Sequence, residues 1–392
     1  MKAGWGASRL VQLCNFFSDG DWIESKDQSP SGVRLIQTGN VGNGKFKNRS
    51  EKARYISSAT FDSLRCTELR AGDCLVSRLP DPVGRSCLIP ELTQRAITAV
   101  DCTIIRFLES KLIPAFFVYF TQSLEYAEQV ARLTGGATRQ RISRKNLGQI
   151  IIPLPPLEEQ RRIVAVLDEA FAAIDTATAN AEKNLQRARA LFESHLQKVF
   201  NQRGEEWGER SLSEVCTLVN GRAYKKEEML GSGKYPLLRV GNFFTNKDWF
   251  YSDLELEPDK YCDTGDLLYA WSASFGPRIW EGKKVIYHYH IWKVLPNPVV
   301  VEKRFLLHLL SWDVDKIKRA HGTGATMMHV SKGSMEARAV PIPPLECQSG
   351  IVAQLDSLQE ESQLLESLYR KKVALLGALK ESLLHQAFSA AL

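Results

Sequence analysis

The residues best suited to chemistry lie in a basic stretch, Arg132–Lys145 (RLTGGATRQRISRK), which holds five cationic side chains and no acid. Arginine and glutamine contact guanine and adenine in bidentate fashion, and cationic groups neutralise phosphates. The adjacent Gly135 and Gly136 let a backbone approach a partner closely. A second stretch, Arg319–Lys332, keeps the Gly-Ala-Thr frame but carries Met327, Met328 and His329 at its tip. A solvated loop would have a similar composition. A constant frame with altered tips instead favours a duplicated reader of two different nucleic-acid sequences. The expected DNA contacts here are Thr138, Arg139, Gln140, Arg141, Arg144 and Lys145, then Thr326, His329 and Lys332. Ser77–Arg85 stands opposite Trp271–Arg278, offering Ser77, Arg78 and Arg85 against Ser272, Ser274 and Arg278. Thr38–Asn40 stands opposite Val240–Asn242, offering Gly39 and Asn40 against Arg239 and Asn242. Trp271 and Phe275 fit a core better than a base stack.

Catalytic patterns are weaker. Gly39–Lys45 nearly spells a phosphate-binding loop, but Phe46 stands where a Mg²⁺-ligating Ser or Thr is needed. Asp266 followed by Glu281 and Lys283 resembles a metal-dependent nuclease pattern, yet the other half of the chain lacks it. His288 and His290 could share one strand face, but no third metal ligand is evident, so packed or surface histidines are expected. Neither an Asn-Pro-Pro-Tyr loop nor a Gly-rich cofactor turn of a methyltransferase is present. No catalytic residue, metal site or cofactor is therefore assigned to this chain.

The elements that must position the basic loops are duplicated. Ile152–Asp168 and Val340–Asp356, 188 positions apart, share eleven identities in seventeen positions. These include Pro155, Pro156, Leu157, Glu158 and Gln160. The same shift pairs Phe200 with Phe388. Upstream the register drifts: Trp5-Gly6 and Gly39-Asn40 recur at a shift of 202, and Gly72-Asp73 at 193. One unit has been copied, with a rigid C-terminal segment and a variable N-terminal one. Strands are expected at Arg34–Thr38, Asp73–Ser77, Cys102–Phe107, Leu237–Val240, Asp266–Trp271 and Lys284–Val294. Helices are expected at Pro114–Val130 and Glu302–Arg319.

A Pro-x-Pro-Pro-Leu-Glu turn then opens a long helix in each half, about Glu158–Phe200 and Glu346–Phe388, with no proline and only Gly350 and Gly377 inside. Their heptads place Leu167, Ile174, Ala181 and Ala188 on one seam position and Ala170, Ala177 and Leu191 on another. In the second copy Leu355, Tyr369, Leu376 and Leu383 share one position and Leu358, Leu365 and Leu379 the other, with Ser362 and Lys372 as interruptions. Large residues facing small ones predict that the two helices pack on each other as an antiparallel coiled coil. At 1.5 Å per residue each would be about 60 Å long and hold the two domains apart, to reach sites about one DNA turn from each other. The fold class expected is α+β: two similar α/β domains, residues 1–155 and 203–343, with long helices at 156–202 and 344–392 and a pseudo-twofold repeat.

Composition agrees. The chain has 392 residues, enough for two or three cores. Its 44% apolar and 24% charged fractions exclude a disordered chain. A net charge of +6 permits a polyanionic partner without demanding one. No apolar run is long enough for a membrane span and no secretory signal opens the chain. Eight cysteines without a Cys-x-x-Cys pair suit reduced thiols in the cytoplasm.

These features together resemble the specificity subunit of type I restriction-modification systems. The resemblance rests on the paired Pro-x-Pro-Pro-Leu-Glu-x-Gln segments, the Gly-Asp-x-Leu strands at Gly72–Leu75 and Gly265–Leu268, and the Gly-Ala-Thr loops. It implies two target recognition domains, each reading half of an asymmetric, split site in double-stranded DNA. It also implies helices on which two methyltransferase subunits dock. Those partners would bind S-adenosylmethionine and flip out an adenine, and motor-nuclease subunits would join for restriction. Two readings of other classes compete: a nuclease using Asp266, Glu281 and Lys283, and an adaptor whose coiled coil binds protein only.

Overall fold

Short β-branched and aromatic runs form strands, and they do so twice in the same arrangement. The computed structural model describes residues 4–136, 139–272, 275–320 and 330–389. The chain divides into two compact units, Met1–Ala181 with Lys371–Leu392, and Glu182–Arg370. In the first, Cys14–Asp19, Cys102–Phe107, Cys74–Ser77 and Ser86–Leu88 make an antiparallel sheet in that order. A second sheet orders Gln28–Ser29, Arg54–Ile56, Val33–Ile36 and Ala96–Thr98, its last pair parallel. The second unit repeats the first sheet with Cys216–Asn220, Ile291–Pro296, Leu267–Ala270 and Gly276–Ile279. It repeats the parallel pair with Tyr235–Leu238 and Val285–Tyr287, while its outer strands differ.

Two expectations need correction. Lys284–Val294 is two strands in different sheets, and His288–His290 is the crossover between them. Pro114–Val130 is two helices, Pro114–Phe120 and Leu124–Leu133, because the Ser123 hydroxyl caps the second by accepting from Tyr126 N–H. Its counterpart in the second unit is continuous from Lys303 to Ala320.

The Gly-Asp-x-Leu motif has a structural role in both units. Asp73 accepts two hydrogen bonds from Arg106 and caps the turn at Arg70. Asp266 pairs with Lys293 at 2.6 Å and accepts from the backbone of Asp263. The Asp266 of the nuclease-like pattern thus belongs to a fold signature that Asp73 shares in the first unit, where no Glu-x-Lys follows.

The recurring glutamine is the other anchor. Gln160 is fully buried; its Oε1 accepts from Ile113 N–H, and its Nε2 donates to the carbonyls of Lys111 and Pro155. Gln348, also fully buried, makes the same three bonds with Glu302 N–H, Val300 O and Pro343 O. Each amide ties the start of a long helix to the loop that leads into its domain's helix.

The long helices run Leu157–Asn201 and Leu345–Ser389. They pack antiparallel: Lys380 meets Asp175 in the first unit and Arg189 meets Glu366 in the second. Leu167, Ile174 and Leu355 are buried as expected, and Leu358 and Leu376 are half-buried. The second heptad position is displaced by one residue, so Leu365, Leu379 and Leu191 are exposed, at 37%, 48% and 45%. Polar residues take part of the seam: Ser362 is buried and Lys380 lies over the Phe171 ring. Each helix ends in the other unit's core from the one where it starts. Phe200 packs on Phe305, Trp207 and Trp312, and Phe388 on Phe116 and Phe120.

Replacing Gln160 by leucine would strand a backbone N–H and two carbonyls. A stability loss on the order of 2–4 kcal/mol is expected in denaturant titration of the full chain. No measurable loss would show that the amide is dispensable.

Candidate nucleic-acid interface

In the first domain the basic loop closes through two backbone bonds, Gly135 N–H to Arg141 O at 3.1 Å and Arg141 N–H to Gly135 O at 2.9 Å. Gly136 has φ +109°, and a Cβ there would lie 2.3 Å from the Arg139 carbonyl, so the turn requires glycine. Arg139 and Gln140 are exposed at the tip, and Arg144 and Lys145 are exposed where the chain enters the next short helix. Arg141 pairs with Asp101 at 3.0 Å, and Arg144 lies 4.0 Å from Asp19. Loop and crossover segment Ala99–Asp101 therefore form one surface. Thr138, Ser274, Thr326 and His329, with Met327 and Met328, lie outside the described residues.

Several expected contacts point inward instead. Arg85 is buried and donates to the carbonyls of Thr38, Val41, Leu79 and Pro82 at 2.7–2.9 Å. Arg78 is buried, donates to Val100 O and lies 3.4 Å from Asp19; burial pulls its pKa below the usual arginine range. Asn40 bonds Gln37, Lys47 and Asn48, and Asn242 bonds Arg239 N–H and Leu237 O. Ser77 and Ser272 are buried, and Ser77 donates to Leu79 O. These residues shape the loops rather than offer groups to a ligand, because a buried polar atom must be satisfied within the protein. Gly39 is half-buried, with a Cβ position only 2.6 Å from Arg49 Nη1. Arg278 is exposed yet donates to Phe243 O, and Lys332 pairs with Glu336 at 3.5 Å. Lys45, of the near phosphate-loop motif, pairs with Asp175.

The second domain fills the same frame with different chemistry. Gly221 approaches the Tyr287 and His288 carbonyls as Gly20 approaches those of Thr98 and Ala99, with no room for a Cβ in either. The segment His288–Tyr289–His290 thus takes the place of Ala99–Val100–Asp101. Trp271 stands where Arg78 stands, each one residue past its strand. Trp271 N–H donates to His290 O and its Nε1 to Tyr289 O, as Arg78 N–H donates to Asp101 O and its guanidinium to Val100 O. The Trp271 ring then stacks on Trp292 at 5.6 Å and meets His290 edge-on at 5.1 Å. The acid–arginine lattice of one domain is an aromatic–histidine cluster in the other.

Beside that cluster lies a cleft of about 340 Å³ reached by Arg239, Thr245, Lys247, Asp248, His288 and His290. Burial, then His290 and Arg239, push the His288 pKa down to about 4. In the sequence these histidines carry no mark that separates them from packed or surface residues. Their alignment with the Arg141-contacting Asp101 segment is the signal that would have found them. Among the described residues no group of three or more His, Cys, Asp or Glu side chains is placed to hold a metal, and no helix is long and apolar enough to cross a membrane.

Comparison with known proteins gives a consistent result. The model of the type I restriction modification DNA specificity domain matches residues 2–186 and again 204–371. The putative type I restriction enzyme MjaX specificity subunit of Methanocaldococcus jannaschii is 23% identical over 334 residues, covering 79% of this chain and 76% of its own length. The EcoKI specificity subunit of Escherichia coli K12 is 24% identical over 386 residues, 90% and 81% of the two chains. A chain solved in work on complex assembly and conformational transition of the type I R-M system has the same fold, with TM-score 0.82, 20% identity and coverage of 100% and 99%. The HsdS subunit from Thermoanaerobacter tengcongensis gives TM-score 0.60 at 20% identity, covering 100% and 98%.

A histidine whose folded pKa lies below its unfolded value near 6.5 destabilises the fold on acidification. Stability from His288 is expected to be whole above about pH 6.5 and to fall as the pH drops toward about 4. An NMR titration of the His288 ring should accordingly show no midpoint between pH 5 and 8; a midpoint there would contradict the buried, neutral assignment.

Proposed function

The chain belongs to the type I restriction modification DNA specificity family, and from that premise we propose that it reads a split, asymmetric site in double-stranded DNA, one half through each domain. It is a specificity subunit: its role is recognition within a restriction-modification complex. The reading domains are residues 1–155 and 203–343. The single observation that carries the two-reader assignment is the equivalence of Ala99–Asp101 with His288–His290 on one frame. Identical anchors at Gln160 and Gln348 hold different side chains at the same place, which suits two copies reading different bases. Among the expected residues, Arg139, Gln140, Arg144 and Lys145 in the first domain and Arg239 in the second are exposed and suited to contact DNA.

Catalysis is assigned to partner subunits. Two methyltransferase subunits dock on the long helices, bind S-adenosylmethionine and methylate a flipped adenine, and motor-nuclease subunits join for cleavage. The exposed leucines of the C-terminal helix, Leu365 and Leu379 among them, are available for such protein contacts. The complex works in the cytoplasm, where its chromosomal DNA lies.

Methylation mapping in cells expressing the neighbouring methyltransferase, with and without this chain, tests the assignment. A split adenine motif that appears only with the chain is expected; an identical motif without it would refute the specificity role. Exchanging Arg132–Lys145 for Arg319–Lys332 should change one half of that motif and leave the other intact. Equal loss at both halves would count against independent readers.

A further inference from the structure

The cleft beside His288 is lined by several hydrogen-bond donors and one carboxylate. His288 Nδ1 accepts from the backbone N–H of His290 at 3.4 Å, so the neutral ring carries its proton on Nε2 and presents a donor. Arg239 is exposed on the rim, with its guanidinium 5.3 Å from the Phe250 ring centroid, and Lys247 is exposed on the facing loop. The Asn242 amide accepts from Arg239 N–H and donates to Leu237 O, and its side chain is buried beneath the rim. Arg239 thus brings a planar fork to this wall, and His288 a further N–H. Asp248 lies on the same rim, held in a left-handed turn with φ 57°.

Resting on the specificity-subunit reading, we infer that this cleft reads a G·C pair in the half-site of the second domain, Arg239 and His288 donating to the acceptor edge of guanine. Guanine shows two acceptors, O6 and N7, in the major groove, and adenine pairs one acceptor with an amino donor that these groups cannot satisfy. A backbone phosphate would also accept from Arg239, but it would face the Asp248 carboxylate. The same carboxylate suits the amino donor of the cytosine opposite. The location agrees: in the first domain the equivalent crossover segment carries the Asp101–Arg141 pair at the foot of the exposed arginine–glutamine tip.

The experiment compares methylation motifs in cells expressing the complete set of subunits with wild-type chain, Arg239→Ala, Arg239→Lys, His288→Ala and Arg139→Ala. The wild-type motif should contain a guanine that both Arg239→Lys and His288→Ala make degenerate, with discrimination falling roughly 10- to 100-fold. Arg139→Ala should disturb the opposite half. Lysine keeps the charge but loses the fork, so it separates base from phosphate contact. A wild-type-like Arg239→Lys motif, with Arg239→Ala weakening methylation evenly, would mean a phosphate contact and overturn the inference. So would a second half-site without any guanine–cytosine pair, or variants that change nothing. Should His288→Ala lower the melting temperature of the purified chain, the exposed Arg239 variants carry the test. If the wild-type chain directs no motif, the proposed function itself fails, an outcome distinct from a motif that survives the variants unchanged.

Discussion

Everything else in this fold hangs on a buried primary amide. A glutamine side chain has one acceptor and two donors to place, and an unsatisfied buried amide costs more than a made hydrogen bond gains. Gln160 and Gln348 meet that demand with a backbone N–H and two carbonyls from the segments around the helix start. The prolines before each helix keep their carbonyls available and stop the helix from beginning earlier. The amide therefore sets where each long helix starts relative to its sheets. The position and direction of each domain's crossover segment follow from those sheets.

Because that anchor is local, the parts far from it were free to change. The two domains keep the antiparallel sheet, the parallel strand pair and the glycine that admits the crossover. They differ in the outer strands of the second sheet, in the break of the helix at Ser123 and in the groups that face the crossover. One domain solves the packing under its crossover with a buried guanidinium and two aspartates, the other with stacked indoles and imidazoles. Both solutions satisfy the same two carbonyls. A polar lattice and an aromatic stack present different atoms on the same backbone frame.

Much of this architecture was legible in the residues. The duplicated turn, the two long helices and the first heptad position follow from spacing alone, because helix period and proline placement are local constraints. The second heptad position was misplaced by one residue: Lys380 takes the place that a purely apolar pattern assigns to Leu379, while Ser362 is buried on the first position. The site was less legible. Arg78, Arg85, Asn40 and Asn242 have the composition of DNA-contacting groups, but composition does not distinguish a guanidinium facing solvent from one satisfied by backbone carbonyls. His288 and His290 read as part of one strand in the sequence, since a three-residue crossing between sheets leaves no turn signature when its residues are aromatic. Only the pairing of each flank with a different sheet reveals the break.

The placement of Phe388 has a consequence in time. The second unit, Glu182–Arg370, is one uninterrupted stretch of chain, while the first needs Lys371 onward to cover Phe116 and Phe120. Domains made on a ribosome generally fold as their residues emerge. Here the half that is translated first lacks the cover of its Phe116 and Phe120 until Phe388 has left the tunnel. The half translated later can close before it. The order of completion is thus the reverse of the order of synthesis.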